Sequence, residues 1–277
     1  MPGIDHNAAE RASPPEAGCS DVKIANDVTL ANRLGGFRFT RGTYFFAGGV
    51  VADPGLDIVR ARLERPLPWA SALDRVQRYL AAKARPVQAL CGIELRAPVP
   101  YSSRQLFAAF NAEYVRQLQR LELLVDGLVP VTRANLATDD GSVDEQCLYA
   151  FHYTVPSERP RLTFGTSAQA DLKHLSGGAV EHVAEGDISP NGLTEKIRFV
   201  TKRIDRQLTD LGASWSLATH IGVYAVHAIG AQIAEVIYPT AGPARHGITW
   251  HLVRPPVIGL EVELDVRAVL EELVIDL

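Results

Sequence analysis

The chain runs through one order of elements twice, and that repetition confines it to two copies of one small layered module. In the first half, Gly42–Val51 is β-branched, aromatic and closed by glycines, as a strand is, and Asp53-Pro54-Gly55 turns it. Pro68–Arg85 then places Trp69, Leu73, Val76, Tyr79 and Leu80 at helical spacing between two prolines. Val87–Leu95 reads as a buried strand. Ser102–Leu121 reads as a second helix, with Leu106, Phe107, Phe110, Tyr114 and Leu118 on one stripe and Ser102 or Ser103 at its cap. Pro130–Ala137 and Gln146–Val155 close the half as a strand pair joined by Asp139-Asp140-Gly141.

The second half follows the same order. Arg161–Ser167 is a short strand. Ser189–Leu211 is a helix with Ser189 as N-cap, Pro190 at its first position and Gly212 as its stop. Its buried stripe is Leu193, Ile197, Val200, Ile204, Leu208 and Leu211. Ala218–Ile229 alternates as a strand, Ala231–Tyr238 is a shorter helix, and Gly247–Val253 and Leu260–Val269 finish around Pro255-Pro256. Each half thus predicts β, α, β, α, β, β, an α+β arrangement of a mixed sheet with two helices on one face. Arg133 in VPVTRANLA and Arg245 in GPARHGITW hold the same place in that order. The expected division is a Pro-rich, loosely packed tail over 1–22, a first module over 23–156 and a second over 157–277.

Composition narrows the function classes. With 28 Lys+Arg against 32 Asp+Glu among 277 residues, the chain lacks the basic footprint of a nucleic-acid binder. Its three cysteines, Cys19, Cys91 and Cys147, are too scattered for a disulfide framework or a Cys-rich zinc site, and Cys91 reads as a buried, inert thiol. No run approaches the roughly 18 apolar residues of a membrane span, and the N-terminus carries no signal pattern, which predicts a cytoplasmic location. His220 and His227 differ in strand parity, as do His246 and His251, so no metal site is expected from them. Gly48-Gly49 and Gly177-Gly178 are turn glycines outside any dinucleotide fingerprint, and Arg60, Arg62 and Arg65 read as a solvated loop.

Several segments carry a family likeness. Pro243-Ala244-Arg245, the strand after it, the Pro turn and Leu260-Glu261-Val262-Glu263 resemble the C-terminal signature of the RidA (YjgF/YER057c/UK114) superfamily. Leu211-Gly212-Ala213-Ser214-Trp215 with Thr219–Val226 is similar to that family's centre. In the first half, Phe46-Ala47-Gly48, Phe110-Asn111-x-x-Tyr114 and Pro130-Val131-Thr132-Arg133 resemble its strand, helix and Arg motifs. The resemblance covers about residues 40–270. It implies two tandem chorismate-mutase-like modules, and a homo-oligomer, a trimer by preference, with clefts between adjacent subunits. It further implies hydrolysis of enamines or imines of small carboxylic acids to the oxo acid and ammonia, with 2-aminomuconate-type products of aromatic-ring cleavage foremost, and no metal or organic cofactor.

Such a reaction needs a cation for the substrate carboxylate, a proton donor and a positioned water. Arginine suits the first role because its planar fork meets a carboxylate in bidentate fashion. Arg245, with Arg133 as its counterpart, is therefore the expected anchor, with Gly247, Thr249 and Tyr114 lining the substrate's place. The resemblance implies Glu261 as the water-handling group. Glu263 shares its strand parity, as does Asp265, so the three acids point to one side and Glu263 is a second catalytic candidate. The alternative for each Arg is a surface ion pair, and for each acid a solvent-facing strand. The chain departs from the family pattern at Gly247 and Asn135, where RidA relatives carry Cys, Ser or Thr, and both changes would widen a pocket. Two other readings stay open: a chorismatase-like hydrolase of a cyclic carboxylate, or a non-catalytic small-molecule-binding or assembly protein.

Overall fold

The computed structural model describes residues 28–159, 161–175, 179–242 and 246–277. The expected tail over 1–22, Cys19, Gly177-Gly178 and the Pro243-Ala244-Arg245 motif lie outside these residues.

The elements run β1 (Thr29–Asn32), β2 (Phe37–Thr40), β3 (Gly49–Ala52), β4 (Leu56–Pro68), α1 (Trp69–Ala82), β5 (Leu90–Ala97), α2 (Arg104–Arg120), β6 (Thr132–Ala137) and β7 (Cys147–Pro156). Then come β8 (Phe164–Thr166), β9 (Gln169–Ala170), β10 (Leu172–His174), β11 (Val180–His182), α3 (Pro190–Asp210) and β12 (His220–Tyr224). A helical stretch α4 starts at Gly230–Gln232, widens to a π-helical turn at Ile233–Ile237 and ends at Tyr238–Ala241; β13 (Thr249–His251), β14 (Glu263–Ala268) and β15 (Glu271–Ile275) follow.

The helices begin where local chemistry starts them. The Leu106 N–H donates to Ser103 Oγ at the head of α2, and the Gly192 N–H donates to Ser189 Oγ at the head of α3, where Pro190 needs no partner. The predicted stripe from Leu193 to Leu211 is buried in one apolar cluster with Val223, Val262, Leu264 and Val266 and with α4. A second cluster joins α1 and α2 to Val59, Ile93, Leu95 and Phe151. Two mixed sheets therefore each carry two helices on one face.

One sheet orders its strands β15-β4-β7-β5-β6, the other β1-β2-β3-β8-β14-β12-β13, with β9 also on β14. Both halves are built alike. β5 pairs antiparallel with β7 and parallel with β6; β12 pairs antiparallel with β14 and parallel with β13. The expected terminal strand pairs are corrected here: β6 and β7 are not hydrogen-bonded neighbours, because β5 lies between them, and β12 likewise separates β13 from β14. A glycine marks the same register point in each copy, Gly92 opposite His152 and Thr132, Gly222 opposite Asp265 and Thr249. A Cβ on Gly92 would come within 2.8 Å of His152 Nδ1 and Thr132 Oγ1, and one on Gly222 would run into the Asp265 carboxylate.

Strands are also exchanged. β1–β3, from the start of the chain, extend the sheet of the second half through β8, while β15 lies parallel to β4 in the sheet of the first half. The long strand β4 replaces the solvated loop expected around Arg60, Arg62 and Arg65. Val59, Ala61 and Leu63 face the helices, and Arg60 is buried on the other side in a bidentate pair with Glu94 at 2.6 and 2.7 Å. Arg62 and Arg65 are exposed. The same buried polar layer holds His152 on Glu94 (2.9 Å) and Tyr224 on Asp265 (2.9 Å), and at its margin the buried Arg267 pairs with the exposed Glu272 (2.9 Å). Cys91 is fully buried, and burial raises its thiol pKa. No helix among the described residues is long and apolar enough to cross a membrane.

Candidate active site

The site lies on the seam where the edge of one sheet meets the other. β6 runs beside the link between β8 and β9: the Arg133 N–H donates to Ser167 Oγ (2.9 Å), and the Ala168 N–H donates to the Arg133 carbonyl (3.1 Å). Ser167 Oγ donates in turn to the Ala47 carbonyl (2.6 Å), and the Ala47 N–H to that of Val131 (2.9 Å). Two other chain segments thereby fix the backbone around Arg133.

Its side chain takes the face that β5 fills with Ile93, the helix-facing side where an apolar residue belongs. The guanidinium carbon stands 4.5 Å from the ring centre of Phe45, 4.8 Å from Tyr114, 5.5 Å from Phe107 and 5.9 Å from Phe110. Arg133 is 4% exposed, and its Nη1 has no hydrogen-bond partner among the described residues. Burial lowers its pKa to about 10, against the opposing pull of Tyr114 and Glu263, so the group stays cationic at neutral pH. Aromatic faces stabilise a cation without consuming its N–H donors. A buried cation with a free donor is a receptor for an anion.

Glu263 opens β14, opposite Ala170 and Tyr224. It is 5% exposed, and its Oε2 has no partner among the described residues. Burial raises its pKa to about 8; Arg133 opposes the rise, and Asp171 and Asp265 add to it. At neutral pH Glu263 therefore stands mainly as the acid, able to give a proton. A chamber of about 100 Å³ is lined by Arg133, Glu263, Asn135, His174 and Arg203 together with the Phe45 and Phe107 rings. Asn135 Oδ1 accepts from Gln146 (3.0 Å), and its Nδ2 has no partner among the described residues. A larger cavity of about 1190 Å³ adjoins the chamber, sharing Thr43, Phe45, Gln169, His174, Arg203 and Leu260 with it.

The structure thus brings Arg133, Tyr114 and Glu263 together. Glu261 lies apart: its carboxylate is 2.6 Å from His227 Nε2 and does not line the chamber. Gly247 (φ 72°) and Thr249 are exposed at and before the edge strand β13 and do not line it either. On the sheet register the counterpart of Arg133 is Trp250, since Ile93 pairs with Arg133 as Val223 pairs with Trp250. Among the described residues, no group of three or more His, Cys, Asp or Glu side chains is arranged to hold a metal ion. The His220 and His251 rings, which sequence parity left unpaired, are 6.2 Å apart across the parallel pair β12 and β13. Sequence reasoning missed His174 and Arg203. Nothing in the order of residues separates Arg203 from its neighbours Lys202 and Arg206 on the polar side of α3. Phe45 and Phe107 were legible only as apolar residues of a strand and a helix stripe.

A sequence model of the family described as 2-aminomuconate deaminase CnbZ matches residues 29–273. A curated relative from Comamonas testosteroni, 2-amino-5-chloromuconate deaminase, is 36% identical over 251 residues, covering 87% of this chain and 96% of the relative. Among solved structures, a chorismatase aligns with a TM-score of 0.44 at 11% identity, covering 87% of this chain and 78% of that one. A YjgF/YER057c/UK114 family protein from Mycobacterium tuberculosis aligns with a TM-score of 0.28 at 15% identity, covering 39% of this chain and 79% of that one.

Proposed function

The chain belongs to the 2-aminomuconate deaminase family, and from that premise we propose that it hydrolyses the enamine of a 2-aminomuconate-type acid to the 2-oxo acid and ammonia in the chamber between Arg133 and Glu263. The observation that carries the reading is the pairing of a buried cation with a free donor and a buried carboxylic acid in one small chamber. That set is what the reaction needs, and it requires no metal.

Arg133 holds the carboxylate next to the amino-bearing carbon. Glu263, protonated, gives its proton to the enamine carbon and leaves an iminium. The Glu263 carboxylate then takes a proton from water as the hydroxide adds to the iminium carbon. The reformed acid protonates the amine of this carbinolamine. Ammonia departs, the carbon–oxygen double bond forms, and the hydroxyl proton returns to Glu263. One water is consumed, one ammonia is released, and Glu263 ends as it began. Cation and acid act without reorganising because packing holds both. The aromatic wall keeps bulk water from the enamine, so only an admitted water reacts.

The test is ammonia release on incubating the protein with 2-aminomuconate, read by a coupled dehydrogenase, alongside loss of the substrate's absorbance. The expected result is one ammonia and one 2-oxo acid per substrate, faster than the spontaneous reaction. Release no faster than in protein-free buffer, with the ligand still bound, would favour the non-catalytic reading instead. The assembly we propose is a homotrimer. Its support beyond the sequence resemblance is the edge strand β13 with exposed Trp250 followed by exposed Leu252. Light scattering at three times 30.1 kDa is the expected outcome; a monomer mass overturns it.

A further inference from the structure

We propose that Arg203 is the second carboxylate anchor of the chamber and makes the site selective for dicarboxylates. The proposal rests on the deaminase reading only for which end of the substrate reacts.

Arg133 lines the inner chamber alone, whereas Arg203 lines both it and the outer cavity, so Arg203 stands where the two join. Its Nη1 donates to the Leu172 carbonyl (3.1 Å), which fixes the head of a long side chain on α3, and its guanidinium carbon lies 5.7 Å from the ring centre of Phe199. One bond to a carbonyl leaves most of the five N–H donors unspent. No carboxylate among the described residues pairs with Arg203. For two buried arginines elsewhere the opposite holds, with Glu94 on Arg60 and the exposed Glu272 on Arg267. Burial lowers the Arg203 pKa with no acidic group to offset it.

The surroundings carry the same sign. The outer cavity is also lined by Arg41, Arg104 and Arg206, against one lining carboxylate among the described residues, Asp210, while Lys173 is paired with Glu181 at 2.6 Å. Arg203 and Arg104, with burial as the larger cause, hold His174 at the junction below its usual pKa, so that ring is neutral and can accept or donate a hydrogen bond. A ligand that reaches from Arg133 to Arg203 must be anionic at both ends. A basic vestibule of this kind also draws a dianion inward more strongly than a monoanion.

The decisive measurement is equilibrium binding of two unreactive six-carbon dienes, the dicarboxylate muconate and the monocarboxylate sorbate. The wild-type protein is expected to prefer muconate at least tenfold. Arg203→Gln is expected to weaken muconate binding about 10- to 100-fold, the usual range for losing a charge-assisted pair, and to move sorbate less than threefold. Arg133→Gln is expected to weaken both. Arg203→Lys keeps the charge but loses the fork, so its preference should fall between wild type and Gln. Preference for muconate unchanged in Arg203→Gln, or equal loss of both ligands there, overturns the proposal. If the Gln variant does not fold, a Lys variant with the full wild-type preference overturns it. Failure of the deaminase reading is a separate result: no ammonia from 2-aminomuconate, with the preference for dicarboxylates intact.

Discussion

The two halves share a sheet register, and among the described residues they carry different groups at its equivalent points. Counting from Gly92 and Gly222, Arg133 of the first half holds the position that Trp250 fills in the second. Glu263 of the second half stands where the first half carries Ala150, since Glu94 pairs with Ala150 as Tyr224 pairs with Glu263. The first half contributes Arg133, the second contributes the acid Glu263 and the outer cation Arg203, and the chamber forms where the two sheets meet at a seam.

Two buried carboxylates, Glu94 in the first half and Glu263 in the second, are treated in opposite ways. In the first, burial would raise Glu94, yet Arg60 and His152 hold it well below the usual carboxylate range. In the second, Glu263 is as buried but has Arg133 only at a remove, and its pKa rises to about 8. A neutralised acid fixes structure; an unneutralised one keeps a proton to give.

The largest expected effect breaks the first half's share of the site. Arg133→Gln leaves the aromatic collar and removes the anchor, with an expected loss near 10³-fold in kcat/KM, about 4 kcal/mol of transition-state binding. Arg133→Lys should recover only part, because a point charge cannot replace the planar fork. Steady-state ammonia release measures both, and a Gln variant within tenfold of wild type would show that Arg133 is not the anchor. Next comes the structural carboxylate. Glu94→Gln leaves Arg60 buried without its bidentate partner and should cost about 2–4 kcal/mol in urea unfolding, while the folded variant keeps activity within threefold.

Glu263→Gln then tests the second half's share, with kcat expected to fall about 10²-fold. The pH dependence fixes the sign. The acid form of Glu263 exists below its pKa, so wild-type activity should decline as pH rises through about 8, and the Gln variant should lose that decline. Because its folded pKa is raised above 4.5, Glu263 contributes stability that is full below that value and is lost as pH climbs to about 8. Replacing it with Gln should therefore raise Tm relative to wild type more at pH 8 than at pH 5. A gain that shrinks with rising pH would contradict the raised pKa.

Much of this was written in the order of residues. The repeat of strands and helices, the caps at Ser103 and Ser189, and the stripe from Leu193 to Leu211 follow from periodicity and local chemistry. The pairing of strands did not, because which strand enters between two others is a non-local choice that no turn signal encodes. β4 escaped for a related reason: three arginines within six residues look solvated until Glu94, 34 positions away, is found across from Arg60. The candidate site was half legible. Arg133, Tyr114 and Glu263 could be named from motifs and parity, whereas Arg203 became visible only once α3 was laid against β10.

The smallest expected effect separates two glutamates that are two residues apart. Glu261, the group the family resemblance put forward for water, is partly exposed and bound to His227 at 2.6 Å, while its backbone N–H donates to Asp171 Oδ1 at 3.0 Å. Glu261→Gln keeps that backbone bond and a hydrogen-bonding side chain. It gives up only the carboxylate's charge in a partly exposed contact, worth at most about 1 kcal/mol in a thermal melt. Activity should stay within threefold, and the decline through about pH 8 should persist, because the group assigned to it is Glu263. If Glu261→Gln instead matched Glu263→Gln in lost kcat and in the lost pH limb, the acid would not belong to the register of Ala150, and the division of the site between the halves would fail.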